Sequence, residues 1–160
     1  MTASPAAALR GAAMTAFQNT GGVGVDLVDV AMLQLLVDLG GDHFIDAYWT
    51  ASEQMWAENK IERLAGRWAA KEAVMKSLGT GVGRVDPIDI EVSTIATGAP
   101  LVTLHHEAAE VARTLDVDVC HVTITHEAGW AAAIAVAVKR SVEAEPLSRP
   151  SWDGQRKPNG

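Results

Sequence analysis

The chain has 160 residues, 48% hydrophobic and 21% charged, enough for one domain with a real core and too apolar for a disordered protein. A net charge of −7 with few bases leaves no broad basic surface, which excludes general nucleic-acid binding. No apolar run reaches the roughly 18 residues of a membrane helix, because Asp, Glu, Lys, Arg or His interrupts every long stretch.

Residues 1–21 are Ala-rich, carry one base, Arg10, and lack the charged and continuous apolar regions of a signal peptide, so they read as a flexible N-terminal extension. With Cys120 as the lone cysteine there is neither a disulfide framework nor a thiolate zinc cluster, and a cytoplasmic protein is expected. Gly22-Val-Gly-Val-Asp-Leu-Val28 is short and valine-rich and predicts a buried strand. Asp29 is placed to cap the following helix, which has Val30, Leu33, Leu36 and Val37 at helical spacing and Gly40-Gly41 as its stop. His43 to Tyr48 reads as a short helix, and Thr50-Ala-Ser-Glu53 has the form of a capping box opening another.

The long element is Asn59 to Leu78, built from strong helix formers, with Ile61, Leu64, Ala65, Trp68, Ala69, Glu72, Met75 and Leu78 along one side and Gly79 as its stop. Gly79 to Arg84 then reads as a loop. Ile88, Ile90 and Val92 alternate as a strand, Gly98-Ala-Pro100 is a turn, and Leu101 to Leu104 is a second strand. Glu107 to Leu115 is helical. Two strands, Val117 to Thr125 and Trp130 to Val138, flank a hairpin turn at His126 to Gly129. The predicted fold is α+β, a mostly antiparallel sheet packed on one long helix, forming a domain over 22–140 with a flexible tail over 141–160.

Charge is distributed unevenly. Lys60, Arg63, Arg67, Lys71, Lys76 and Arg84 crowd one window, whereas Val23 to Asn59 holds seven acids and no base. Asp26, at the end of the first strand, reads as a helix cap, a surface acid or a metal ligand. Glu72 falls on the apolar stripe of the long helix, where an acid must be paired, protonated or coordinated. Glu72 and Lys76 are spaced for an ordinary helix salt bridge; alternatively, Asp26 and Glu72 hold a divalent cation while Lys76 and Arg67 neutralise phosphate oxygens. Gly79-Thr-Gly-Val-Gly83 follows a helix and lacks a Walker lysine, so it is no P-loop; with Arg84 it is either a turn or a phosphate-binding loop. His126 is either a turn residue or a catalyst; His105 and His106, being adjacent, point in different directions and form no metal site by themselves.

Val23-Gly-Val-Asp-Leu-Val28, Arg67-Trp-Ala-Ala-Lys-Glu-Ala-Val-Met-Lys-Ser-Leu-Gly79, Gly98-Ala-Pro-Leu-Val-Thr-Leu104 and Val122-Thr-Ile-Thr-His-Glu127 together resemble the holo-acyl-carrier-protein synthases, the small trimeric 4′-phosphopantetheinyl transferases, over Gly22 to Val138. The resemblance implies that family's fold and a homotrimer with active sites between subunits. It implies Mg²⁺ held by Asp26 and Glu72, with coenzyme A as substrate. It makes Glu72, Lys76 and His126 catalytic, and Arg67, Lys71, Lys76, Gly79, Thr80, Gly81, Gly83, Arg84 and His126 coenzyme-binding. The implied reaction is attack by a serine hydroxyl of an apo acyl carrier protein on the β-phosphate of coenzyme A, releasing 3′,5′-ADP. Glu127 or a metal-bound water is the candidate base. Family members usually carry arginines on the helix after the first strand to grip an acidic carrier; here Asp29 to Leu39 has none. A specialised carrier of polyketide or fatty-acid type is therefore expected, with docking through Met32, Leu35 and Leu39. The competing reading is a non-catalytic, coenzyme-A-binding trimer acting as an interaction protein.

Overall fold

The structure, a computed structural model, describes residues 19–80 and 83–140; most of the predicted N-terminal extension, Gly81 and Val82 and the predicted tail lie outside the described residues. Strand β1 spans Thr20–Asp29 and is followed by helices α1 (Val30–Tyr48), α2 (Ala51–Ala57) and α3 (Ile61–Ser77). A single 3₁₀ turn over Pro87–Asp89 leads into β2 (Ile90–Thr94) and β3 (Pro100–Leu104); α4 (His106–Thr114), β4 (Val117–Glu127) and β5 (Trp130–Lys139) complete the chain. Every ladder is antiparallel, as expected, but the strands form two sheets, one ordered β1-β5-β4 and one pairing β2 with β3. The expected strand contribution of Ile88 is replaced by the 3₁₀ turn, because Pro87 fixes its own φ at a turn value and has no N–H for a ladder.

Local signals place most boundaries. Asp29 caps α1, its Oδ1 accepting from the Ala31 and Met32 amides at 2.9 and 3.2 Å. Thr50 and Glu53 form the capping box in both directions. Gly79 closes α3: at φ +66° it donates to the Lys76 carbonyl while Thr80 N donates to that of Met75, the paired bonds of a Schellman cap. Ala128 and Gly129, both at positive φ, make the two-residue turn between β4 and β5. Gly41 interrupts α1 where a stop is expected: at φ 57° and ψ −149° it is non-helical, and the turns beyond it, running to Tyr48, are the expected short second helix.

Helix α3 lies on the three-stranded sheet through small residues. Ala69, Ala70 and Ala73 are fully buried, as are Ala131, Ala135 and Ala137 on β5. The approach is closest at β1, where a Cβ on Gly22 or Gly24 would overlap the carbonyl oxygens of Ser77 and Ala73. The opposite side of α3 packs Val74 and Met75 against Ile90 and Val92 of the small sheet, and α4 closes that core with Ala108 and Val111. Leu33, Trp49 and Leu64 form a second core, with Phe44 and Tyr48 stacked on Trp68. Among the described residues no helix is long and apolar enough to cross a membrane.

Candidate functional site

Helix α3 carries Arg67, Lys71, Glu72 and Lys76, and the fold distributes them among three environments. Glu72 is half-buried and shares a cavity of about 240 Å³ with Asp26, whose carboxylate projects from β1; Met32, Leu33 and Leu36 of α1 and Trp68 supply an apolar wall. Burial pushes the Glu72 carboxyl above the usual carboxylate range, the Asp26 charge pushes it further, and Lys76 opposes both. Lys76 Nζ donates to Asp26 Oδ1 at 2.8 Å and to the Val25 carbonyl at 3.0 Å. The carboxylates therefore face one another with an ammonium at one of them, rather than Glu72 and Lys76 closing a salt bridge on the helix surface.

Two carboxylates are a small donor set: among the described residues no group of three or more His, Cys, Asp or Glu side chains is placed to hold a metal. That set suits Mg²⁺, which takes one or two protein carboxylates and fills its remaining positions with phosphate and water oxygens. Zinc or calcium, which draw most ligands from the protein, would be poorly served.

Arg67 lies elsewhere. Its guanidinium stacks 3.3 Å from the centroid of the Trp56 ring, and Nη2 donates to Thr94 Oγ1 at 2.8 Å. Nε is buried with no hydrogen-bond partner, and burial pulls the group down to about 10 despite the attraction of Glu53. Arg67, Trp56, Thr94 and His126 line a second cavity of about 180 Å³. His126 reaches it from the end of β4, Nε2 lying 2.9 Å from the Glu62 carbonyl. This seat requires glycine at position 66, where a Cβ would lie 2.7 Å from Nε2. Glu127 is exposed at the end of β4 opposite Trp130.

Burial bears on two of the expected coenzyme contacts. Lys71, expected at coenzyme phosphates, is 2% exposed: Nζ donates to Glu53 Oε2 at 2.7 Å and to the Pro87 carbonyl at 3.0 Å. Glu53 also accepts the amides of Thr50 and Val92, so this pair ties α2, α3 and β2 together. Thr80, expected to touch coenzyme, is 4% exposed and spends its hydroxyl on the Met75 carbonyl. Gly79 serves as the helix cap described above, Gly83 and Arg84 are exposed, and Gly81 lies outside the described residues. Sequence reading missed Trp56 and Thr94, which have no spacing relation to Arg67. It identified Glu53 only as a cap; its pairing with Lys71 in the interior becomes visible only when the elements are assembled.

The sequence profile described as the 4′-phosphopantetheinyl transferase superfamily matches residues 22–135. A holo-[acyl-carrier-protein] synthase from Solibacter usitatus is 43% identical over 111 residues, covering 67% of this chain and 89% of that protein. One from a Sulfurovum species is 37% identical over 114 residues, covering 71% and 92%. The crystal structure of Helicobacter pylori holo-[acyl-carrier-protein] synthase in complex with coenzyme A superposes with a TM-score of 0.67 at 30% identity, covering 72% of this chain and 98% of that one.

Proposed function

The chain belongs to the 4′-phosphopantetheinyl transferase superfamily and is an enzyme of the holo-[acyl-carrier-protein] synthase type, and from that premise we propose that it transfers phosphopantetheine from coenzyme A to a serine of a specialised apo acyl carrier protein, of polyketide or fatty-acid type, with Mg²⁺ at Asp26 and Glu72. The observation that carries the site assignment is the cavity in which these two acids from distant segments meet, burial and the neighbouring charge disfavouring the ionised form of Glu72. Bound there, Mg²⁺ supplies positive charge to the diphosphate and relieves the repulsion between the carboxylates.

The chain's own residues do the rest. Lys76, half exposed and bonded to Asp26 and the Val25 carbonyl, sets its ammonium at the edge of the cavity for the phosphate under attack. Arg67 offers a dehydrated charge and an unpaired donor to the phosphate of the nucleotide end, and His126 shares that pocket. Gly83 and Arg84 flank the coenzyme. The serine oxygen forms a new bond to the β-phosphorus as the bond to 3′,5′-ADP breaks, and the serine proton passes to a base. Lys71 is part of the scaffold in this reading.

Two features support the homotrimer that the family resemblance implies. Arg67 and Glu72 are five residues apart, so they project about 140° apart around α3, and their cavities open on different sides of it. Val23, Val25 and Leu27 of β1 and Ile134 of β5 expose 62, 61, 59 and 49% of their surface on the sheet face away from α3, an apolar patch suited to self-association. One subunit's carboxylates and a neighbour's Arg67 and His126 then complete each site. Incubation with coenzyme A, Mg²⁺ and a panel of apo carriers, followed by mass spectrometry, tests the activity: at least one carrier gains a phosphopantetheine group. No gain on any carrier would leave only a coenzyme-binding protein.

A further inference from the structure

Arg67 is held at its cavity from two other elements. The Trp56 ring of α2 lies against the guanidinium, whose carbon is 3.3 Å from the ring centroid, and Thr94 at the end of β2 accepts from Nη2 at 2.8 Å. Contacts of these two kinds fix a planar group: the ring face sets its plane and the hydroxyl sets its rotation within that plane. The clamp is itself anchored. Arg63, one turn before Arg67 on α3, donates to the Trp56 carbonyl at 3.0 Å and to Glu58 at 2.6 Å, with its guanidinium 4.9 Å from the centre of the same ring. Thr94 is paired with Pro100 in the β2–β3 ladder, and Pro100 and Gly98 line the cavity beside it.

A buried cation that serves only the fold meets a carboxylate, as Lys71 meets Glu53. Arg67 is 4% exposed and is bonded to no carboxylate among the described residues, the nearby Glu53 being committed to Lys71. Its one hydrogen bond there goes to Thr94, its Nε is buried without a partner, and Arg63 adds like charge beside it. An anion supplies the missing acceptors. We propose that Trp56 and Thr94 are positioning residues: they preset the Arg67 guanidinium to grip the phosphate on the ribose of coenzyme A, and so set the affinity for that phosphate. The proposal rests on the transferase reading above. Without the ring, a long side chain rotates freely and must be ordered when ligand binds, which weakens the complex without touching the bond that breaks. The ring is needed for its face and not for its volume, because leucine fills space but offers a guanidinium no π surface.

The test measures affinity of the full chain for coenzyme A and for 3′-dephospho-coenzyme A by titration calorimetry, with KM and kcat from carrier loading read by mass spectrometry. Trp56→Leu weakens coenzyme A about fivefold and raises its KM to match, with a smaller change in kcat, while 3′-dephospho-coenzyme A changes by less than about twofold. Trp56→Phe, which keeps an aromatic face, recovers most of the loss. Thr94→Val weakens coenzyme A about threefold, and Thr94→Ser restores it. In an Arg67→Met background Trp56→Leu has no further effect, because the ring acts through the guanidinium. Equal losses on the two coenzymes, a phenylalanine variant as weak as leucine, or additive effects of Trp56→Leu and Arg67→Met overturn the proposal and leave the transferase standing. Should Trp56→Leu fail to fold by circular dichroism, the Thr94 variants decide: a loss confined to coenzyme A supports the proposal, and an equal loss on both coenzymes overturns it. Binding of neither coenzyme by the unsubstituted chain overturns the transferase reading itself.

Discussion

The two cavities beside α3 are opposites in charge, though each takes one charged residue from the same short stretch of that helix. In one, Asp26 and Glu72 share a cavity with an apolar wall; in the other, Arg67 is stacked on Trp56 with a donor unsatisfied. The first invites a cation and the second an anion. A diphosphate nucleotide carrying its own metal offers both, and in the proposed trimer one helix turns its charges to two different sites. Lys71 lies between them in sequence yet serves neither, because its charge is neutralised inside by Glu53.

That division of labour can be broken at each point. Lys71→Met leaves Glu53 buried and unpaired, so it should cost about 3–5 kcal/mol of stability, read from chemical denaturation, before any activity is lost to site chemistry. Glu72→Ala removes a half-buried acid from the cation cavity and should lower kcat by about 10²–10³ with the fold intact by circular dichroism. Arg67→Met should instead raise the KM for coenzyme A about tenfold with a smaller change in kcat. If the two mutants lose the same parameter, the cavities do not have separate roles.

Mixing subunits sharpens the comparison further. If sites form between subunits as proposed, each mutant alone is impaired, but in random mixtures of Glu72→Ala and His126→Ala subunits about a quarter of the sites pair an intact carboxylate half with an intact histidine half, so activity should return to that level. No recovery would place both halves in one subunit. The smallest effect is in pH. Because burial and Asp26 raise the Glu72 pKa, its carboxylate form is lost at a higher pH than for an ordinary glutamate as the solution is acidified. Binding of Mn²⁺ as a probe should accordingly weaken on acidification while exposed carboxylates are still ionised. By linkage, the metal-free protein gains its Glu72 contribution to stability at low pH, below the unfolded value, and loses it as pH rises through the folded one. Glu72→Gln should flatten both slopes.

Much of this was legible in the sequence, for a local reason. The Asp29 cap, the Thr50–Glu53 box, the Gly79 stop and the hairpin turn each depend on residues within a few positions of one another. The four family blocks likewise named Asp26, Glu72, Arg67 and His126 as candidates. The burial of Lys71 and Thr80 is not legible in the sequence: the resemblance sets both at the coenzyme, and in the fold both are enclosed. Nothing within several residues of Lys71 announces that Glu53, eighteen positions away, will meet it inside.

The sequence by itself determined the elements, their ends and the family, since periodicity, caps and motif spacing act along the chain. Only the tertiary structure decided which charges face a cavity and which are neutralised in the core. A side chain's dielectric environment and partners are set by elements remote in sequence, here β1 delivering Asp26, α2 delivering Glu53 and Trp56, and β4 delivering His126 to three sides of one helix.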